Sequence, residues 1–304
     1  MSGEPSDPPT YLVAGGARVD AGKTTFSTGL VAHLAERAGD AVSVKPRAGN
    51  DFWFDHDDYR IATDSGRLYG KDARKLAAAS TRAPATVGDA SPSPSAVAPE
   101  SINPVHRLWR PTPGRTGMLS DTDRTFLCDR VTTDSGTRFV VNAAAEDAGL
   151  LPDALAERLP LDDAARVRDV SEFNDVMAEA HLPAIERLAA RVARTPVPVV
   201  VESYADVAGT LPRDGPVAPD AVAVVDPGRA RVYAGDRYAK ARAVAAGSPR
   251  EGTREEHVDA VTEMIEPVAT VPLPALSGEV RGDPSRVASR YGSAYEALVG
   301  AVEN

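Results

Sequence analysis

A short apolar run, Tyr11–Ala14, empties into Gly15-Gly16, and Gly22-Lys23-Thr24-Thr25 then opens an amphipathic segment. Strand, glycine-bearing loop and helix start, in that order, leave few folds open to the chain. Main-chain N–H groups at a helix start converge on an anion, and the helix dipole adds positive potential there. Glycines let the backbone approach closely. A lysine placed as Lys23 reaches the outer oxygens of a polyphosphate, and a hydroxyl placed as Thr24 can ligate Mg2+. The helix is predicted from Gly22, with Phe26, Leu30, Val31 and Leu34 on one face and Gly39 as its stop. The expected anion site is Gly16, Ala17, Arg18, Val19, Asp20, Ala21, Gly22, Lys23, Thr24 and Thr25. Counted from Gly16, the loop is one residue longer than the commonest phosphate loop, which has four residues before its Gly-Lys pair.

The remaining pattern alternates strands with helices. Ala41–Val44 reads as a strand, and the β-branched run Val197–Val201 as one buried on both faces. Ala221–Val225 is another, with a further strand at 268–273. Helices are predicted at Lys71–Ala79, 176–193 (with Pro183 as a kink), 236–246, 253–265 and 284–301. Arg124–Thr132 and Thr137–Asn142 alternate around Asp134-Ser135-Gly136 as a hairpin. The expected fold is α/β: a mainly parallel β-sheet with helices on both faces, three layers, and a small β-hairpin insertion. Residues 1–10 read as a disordered leader and 11–304 as one domain, with 112–145 as an insertion or lid.

Charge narrows the partners. Among 304 residues there are 44 acidic and 34 basic side chains, for a net charge of −10; five of the basic residues are lysines and 29 arginines. Such an acidic, lysine-poor chain resembles proteins of salt-accumulating archaea, and a high-GC genome gives the same arginine bias. A net-negative surface argues against broad binding to nucleic acid. No apolar run reaches the roughly 18–20 residues that span a bilayer, so no membrane partner is expected. A single cysteine, Cys128, excludes an internal disulfide, and MSGEPSDPPT lacks the basic and apolar regions of a signal peptide. The expected location is cytoplasmic.

Gly16–Thr24, with Asp20 two residues before Gly22, resembles the loop of dethiobiotin synthetase and its relatives, the cobyrinate a,c-diamide synthases and the deviant P-loop ATPases. Val44-Lys45-Pro46 looks like the family's strand-end Lys-Pro, Asp72-Ala73 its helix-opening aspartate, and Ile102-Asn103-Pro104 its asparagine-proline segment. Val199-Val200-Val201-Glu202 resembles the strand that ends in a magnesium-binding glutamate. The resemblance covers roughly residues 11–275. It implies a P-loop NTPase fold, Mg2+ on Thr24, Asp72 and Glu202, catalytic roles for Lys23, Lys45 and Glu202, and a homodimer. The chain departs from the family at Ser203-Tyr204-Ala205-Asp206, where a glycine-rich segment belongs, and at Val19, where a threonine touches substrate.

Two functional expectations follow. The first is Mg-dependent binding and hydrolysis of ATP, coupled to phosphoryl activation or ligation of a small anionic metabolite. The second is a nucleotide-switch ATPase or GTPase acting through protein partners, for which Arg18 stands near the position of a lysine that reaches across a dimer. A guanine-reading Asn-Lys-x-Asp pattern is absent, which favours ATP and leaves GTP open. Secondary candidates are the acidic-aromatic loop Asp51–Tyr59, the cluster Arg107, Trp109 and Arg110, and Asp226-Pro227-Gly228 at a strand end. Each has an equally simple structural role, as anchored loop, packed ring or plain turn.

Overall fold

The computed structural model describes residues 7–16, 21–85, 96–112, 120–121, 124–245 and 256–302. Ala17, Arg18, Val19 and Asp20 of the expected anion loop, most of the expected leader and part of the 112–145 segment lie outside the described residues. Strands run at β1 Thr10–Gly15, β2 Val42–Val44, β3 Arg47–Asp51, β4 Val105–Pro111, β5 Ser120–Asp121 and β6 Arg124–Thr133. The others are β7 Gly136–Asn142, β8 Ala165–Val167, β9 Val199–Glu202, β10 Ala221–Asp226, β11 Arg229–Ala234 and β12 Ala269–Pro272. Internal contacts divide the chain into two compact units: 1–46, 75–97 and 189–304, and 47–74 with 98–188.

The first unit holds the sheet β12-β11-β10-β1-β9-β2. β10, β1, β9 and β2 are parallel; β11 and β12 extend the sheet antiparallel. Helix α1, Lys23–Ala38, follows β1 and lies between residues with left-handed backbone at both ends, Gly22 (φ 87°) and Gly39 (φ 85°). Its apolar face (Phe26, Leu30, Val31, Leu34) meets Tyr11, Val13, Val200 and Ala223 of the sheet in one buried core. Each such Leu or Phe contributes roughly 1.5–3 kcal/mol by leaving water. Tyr295 of the closing helix Gly292–Gly300 crosses Phe26 edge-on at 4.9 Å and donates its hydroxyl to Phe26 O at 3.0 Å. Leu12 and Val201, on the alternate side of their strands, line a small cavity with Tyr238 and Ala239 of the helix Gly235–Ala245. The sheet is thus covered on both faces, as expected. Strand β9 begins at Val199 instead of Val197 because Pro198 has no N–H to give a ladder. The closing helix is two, Pro284–Arg290 and Gly292–Gly300.

The second unit corrects the picture of a small hairpin insertion. β6 and β7 do pair as an antiparallel hairpin, but they form the centre of a second sheet, β3-β4-β6-β7-β8, with β5 on β6. The reason is burial: seven consecutive residues of β6, Thr125–Val131, are out of solvent. A strand buried on both faces needs covering layers and neighbours that a two-stranded lid cannot supply. Leu108, Leu127, Cys128, Phe139, Val141 and Leu155 belong to one buried cluster, and Phe126, Val140 and Val167 to a smaller one. Contacts therefore cluster in two units where the sequence suggested one domain.

Candidate functional site

The four parallel strands of the first unit end at one edge, at Gly15, Val44, Glu202 and Asp226. The chain visits β1, then β2, then β9 between them, and then crosses to β10 on the far side of β1. Ligands of open α/β sheets bind outside the carboxyl ends of strands at such a reversal. Three residues singled out in the sequence meet there. Thr24, in the first turn of α1, donates its hydroxyl to Glu202 Oε1 at 2.9 Å. Lys45, one residue past β2, donates Nζ to the same oxygen at 2.7 Å. Glu202 is fully buried and Lys45 is 4% exposed. Glu202 Oε2 is buried with no hydrogen-bond partner among the described residues, and so is the hydroxyl of Ser203.

Lys23 bends back along β1. Its Nζ donates to Ala205 O at 2.8 Å, and a Cβ on Gly15 would stand 2.6 Å from that nitrogen. Only glycine at 15 leaves the lysine this path. Ala205 is the one described non-glycine residue with positive φ, at 46°. That left-handed backbone turns its carbonyl to the ammonium, and the strain of about 1–2 kcal/mol sits beside the site. Gly22 caps α1 with open space around it, and Thr25 accepts at its carbonyl from Thr28 Oγ1 at 3.1 Å. Ala21 is buried.

Asp72 is the second residue of the helix Lys71–Ala79 and belongs to the second unit; Thr24 and Glu202 are brought together in the first. Asn103, also in the second unit, is buried; Arg130 donates to its backbone O at 2.7 Å and its Oδ1 at 3.0 Å, a structural clamp. In the loop 51–59, Asp51 Oδ1 accepts from the N–H groups of Trp53 and Phe54 and caps the turn, and His56–Asp64 is a helix. Arg107 binds Asp129 through two nitrogens at 2.7 and 2.6 Å and faces the rings of Trp109, Phe126 and Phe173. Arg110 donates to Leu150 O at 2.6 Å. Cys128 is buried, and burial pushes its thiol up. Sequence reasoning passed over Asp129 and His181, whose Nε2 lies 2.8 Å from Asp129 Oδ2. A charged residue inside an otherwise buried strand was the available signal.

A magnesium ion would fit this donor set. An unpartnered buried carboxylate oxygen and an adjacent hydroxyl are hard oxygen ligands. Among the described residues no group of three or more His, Cys, Asp or Glu is placed to hold a metal. Thr24 and Glu202 would supply two ligands, and phosphate oxygens and water would have to complete the shell, as is usual for Mg2+ at nucleotide sites. Among the described residues no helix is long and apolar enough to cross a membrane. Comparison with protein-family models, curated proteins and solved structures gave no significant match.

Proposed function

We propose that the first unit binds a Mg-nucleoside triphosphate, ATP being the better fit, and hydrolyses it to activate a small anionic substrate. The observation that carries the reading is the convergence of Thr24, Lys45 and Glu202 at the carboxyl edge of β1, β2 and β9, beside Lys23 at the start of α1. On this reading Lys23 leaves the Ala205 carbonyl for the outer phosphoryl oxygens, a stronger, charge-assisted contact. Thr24 and Glu202 would hold Mg2+, which would neutralise charge on the β- and γ-phosphoryl oxygens when bound. Lys45 has two tasks. It holds the Glu202 side chain in place, and its ammonium stands ready for the acceptor's anionic group. Catalysis rests on positioning and electrostatics, because phosphoryl transfer asks little covalent chemistry of a protein. A homodimer follows only from the dethiobiotin-synthetase resemblance.

A second reading, a nucleotide switch, is favoured by one observation: the strained Ala205 carbonyl holds Lys23, so nucleotide and the 203–206 turn compete for one ammonium. A thermal-shift series in molar salt tests both. Mg-ATP should raise the midpoint of the wild-type chain, and Lys23→Ala should abolish that rise. An undiminished rise in the variant would contradict the site. Faster hydrolysis on adding an anionic metabolite favours the enzyme, and hydrolysis that responds only to a protein partner favours the switch.

A further inference from the structure

The opposite flank of β1 carries a group that the proposed function leaves unused. Asp226 ends β10 beside the loop, where Gly16 N–H donates to Val225 O at 3.0 Å. A Cβ at residue 16 would stand 1.9 Å from Asp226 Oδ1 and 3.0 Å from Arg231 Nη2, so only glycine leaves room for this ion pair. Asp226 Oδ2 accepts from Arg231 Nε at 3.0 Å and from Arg229 Nε at 3.2 Å. Arg231 Nη1 points to the Tyr233 hydroxyl at 3.3 Å and to Thr262 Oγ1 at 3.4 Å. These contacts fix the guanidinium on β11. They leave Nη2, the nitrogen turned to Gly16, with no hydrogen-bond partner among the described residues. The two side chains are only 13% and 19% exposed. An arginine oriented through two of its nitrogens, with its last edge facing Gly16, holds donors in reserve.

We infer that Arg231 is a second cation of the phosphate site: its Nη2 edge donates to a phosphoryl oxygen of the bound polyphosphate, and Asp226 positions it. The inference rests on the nucleotide reading above and deepens it. A planar guanidinium suits phosphate oxygens better than an ammonium, and a carboxylate behind it fixes its orientation. Asp226 also balances the charge of Arg231 while no ligand is bound. The pair gives Gly16 a role distinct from that of Gly22: the first yields space to an ion pair, and the second supplies left-handed backbone.

Calorimetric titration of the full chain with inorganic tripolyphosphate, and separately with Mg-ATP, tests this. Arg231→Gln should weaken both ligands by about ten- to a hundredfold, the span of a charge-assisted hydrogen bond. Arg231→Lys should recover part of the loss, and Arg229→Gln, half-exposed on the same carboxylate, should bind within about twofold of wild type. Urea midpoints establish that each variant folds; if Arg231→Gln does not, weakened binding by folded Arg231→Lys carries the test. Unchanged tripolyphosphate affinity in the Arg231 variants overturns the inference, including the case where only ATP binding suffers, which would assign the arginine to the nucleoside. Binding that needs Lys23 and ignores Arg231 overturns this inference alone. A wild-type chain that binds neither ligand overturns the nucleotide reading with it.

Discussion

Glu202 is a carboxylate with no exposure, and Lys45 is its only charged hydrogen-bond partner among the described residues. Removing a charge from water costs several kcal/mol, which an opposite charge at 2.7 Å offsets only while both are present. Lys45→Met should therefore lower stability by about 3–5 kcal/mol in urea unfolding, because it strands the carboxylate. Lys45→Met with Glu202→Gln should recover most of that loss. A single variant as stable as wild type would contradict the part given to this ion pair. At this scale the sequence was informative where chemistry is scarce. The resemblance to the dethiobiotin synthetase family singled out Lys45 before Pro46 and Glu202 after three valines. It was silent on Arg231 and His181, because ordinary strand and helix positions do not say which partner a fold will bring.

At the scale of elements, Asp129 ties three of them together. It sits on β6, accepts from Arg107 on β4, and meets His181 in the π-helical turn Met177–His181. Burial alone would raise its carboxyl; the Arg107 guanidinium and the His181 contact outweigh that and hold it at about 2. A folded value below the unfolded one, near 3.9, stabilises the protein at any pH above the unfolded value. The contribution, about 2 kcal/mol, is lost as pH falls from about 4 through 2. Urea midpoints measured from pH 6 to pH 2 should fall less steeply over that window in Asp129→Asn than in wild type. Equal slopes would remove the ion pair from the account. Helix α1, the buried strands and the β6–β7 hairpin were legible because periodicity and turn residues marked them. β3, β4 and β8 were not: Arg47–Asp51 and Ala165–Val167 carry no alternation and are strands through their neighbours. Pairing across long sequence separations overrides weak local preference.

Across the whole molecule, the charge excess and the two sheets have different standing. A net charge of −10 repels itself at low salt, and screening shortens from about 10 Å at 0.1 M to 3 Å at 1 M. The α/β class was legible from strands alternating with helices. The division into two units was not, because the chain enters and leaves the second unit twice, and of these passages the one at 97–98 alone follows a stretch rich in Pro, Ser and Ala. The central claim concerns the first unit: the oxygens of Thr24 and Glu202 belong to a metal that arrives with nucleotide. The coupling between Mg2+ and ATP, measured by calorimetric titration of ATP with and without Mg2+ on the wild-type chain and on Thr24→Ala, tests it most directly. The account predicts tighter ATP binding with Mg2+ in the wild type and a gain from Mg2+ at least tenfold smaller in the variant. An equal gain in both chains would contradict it.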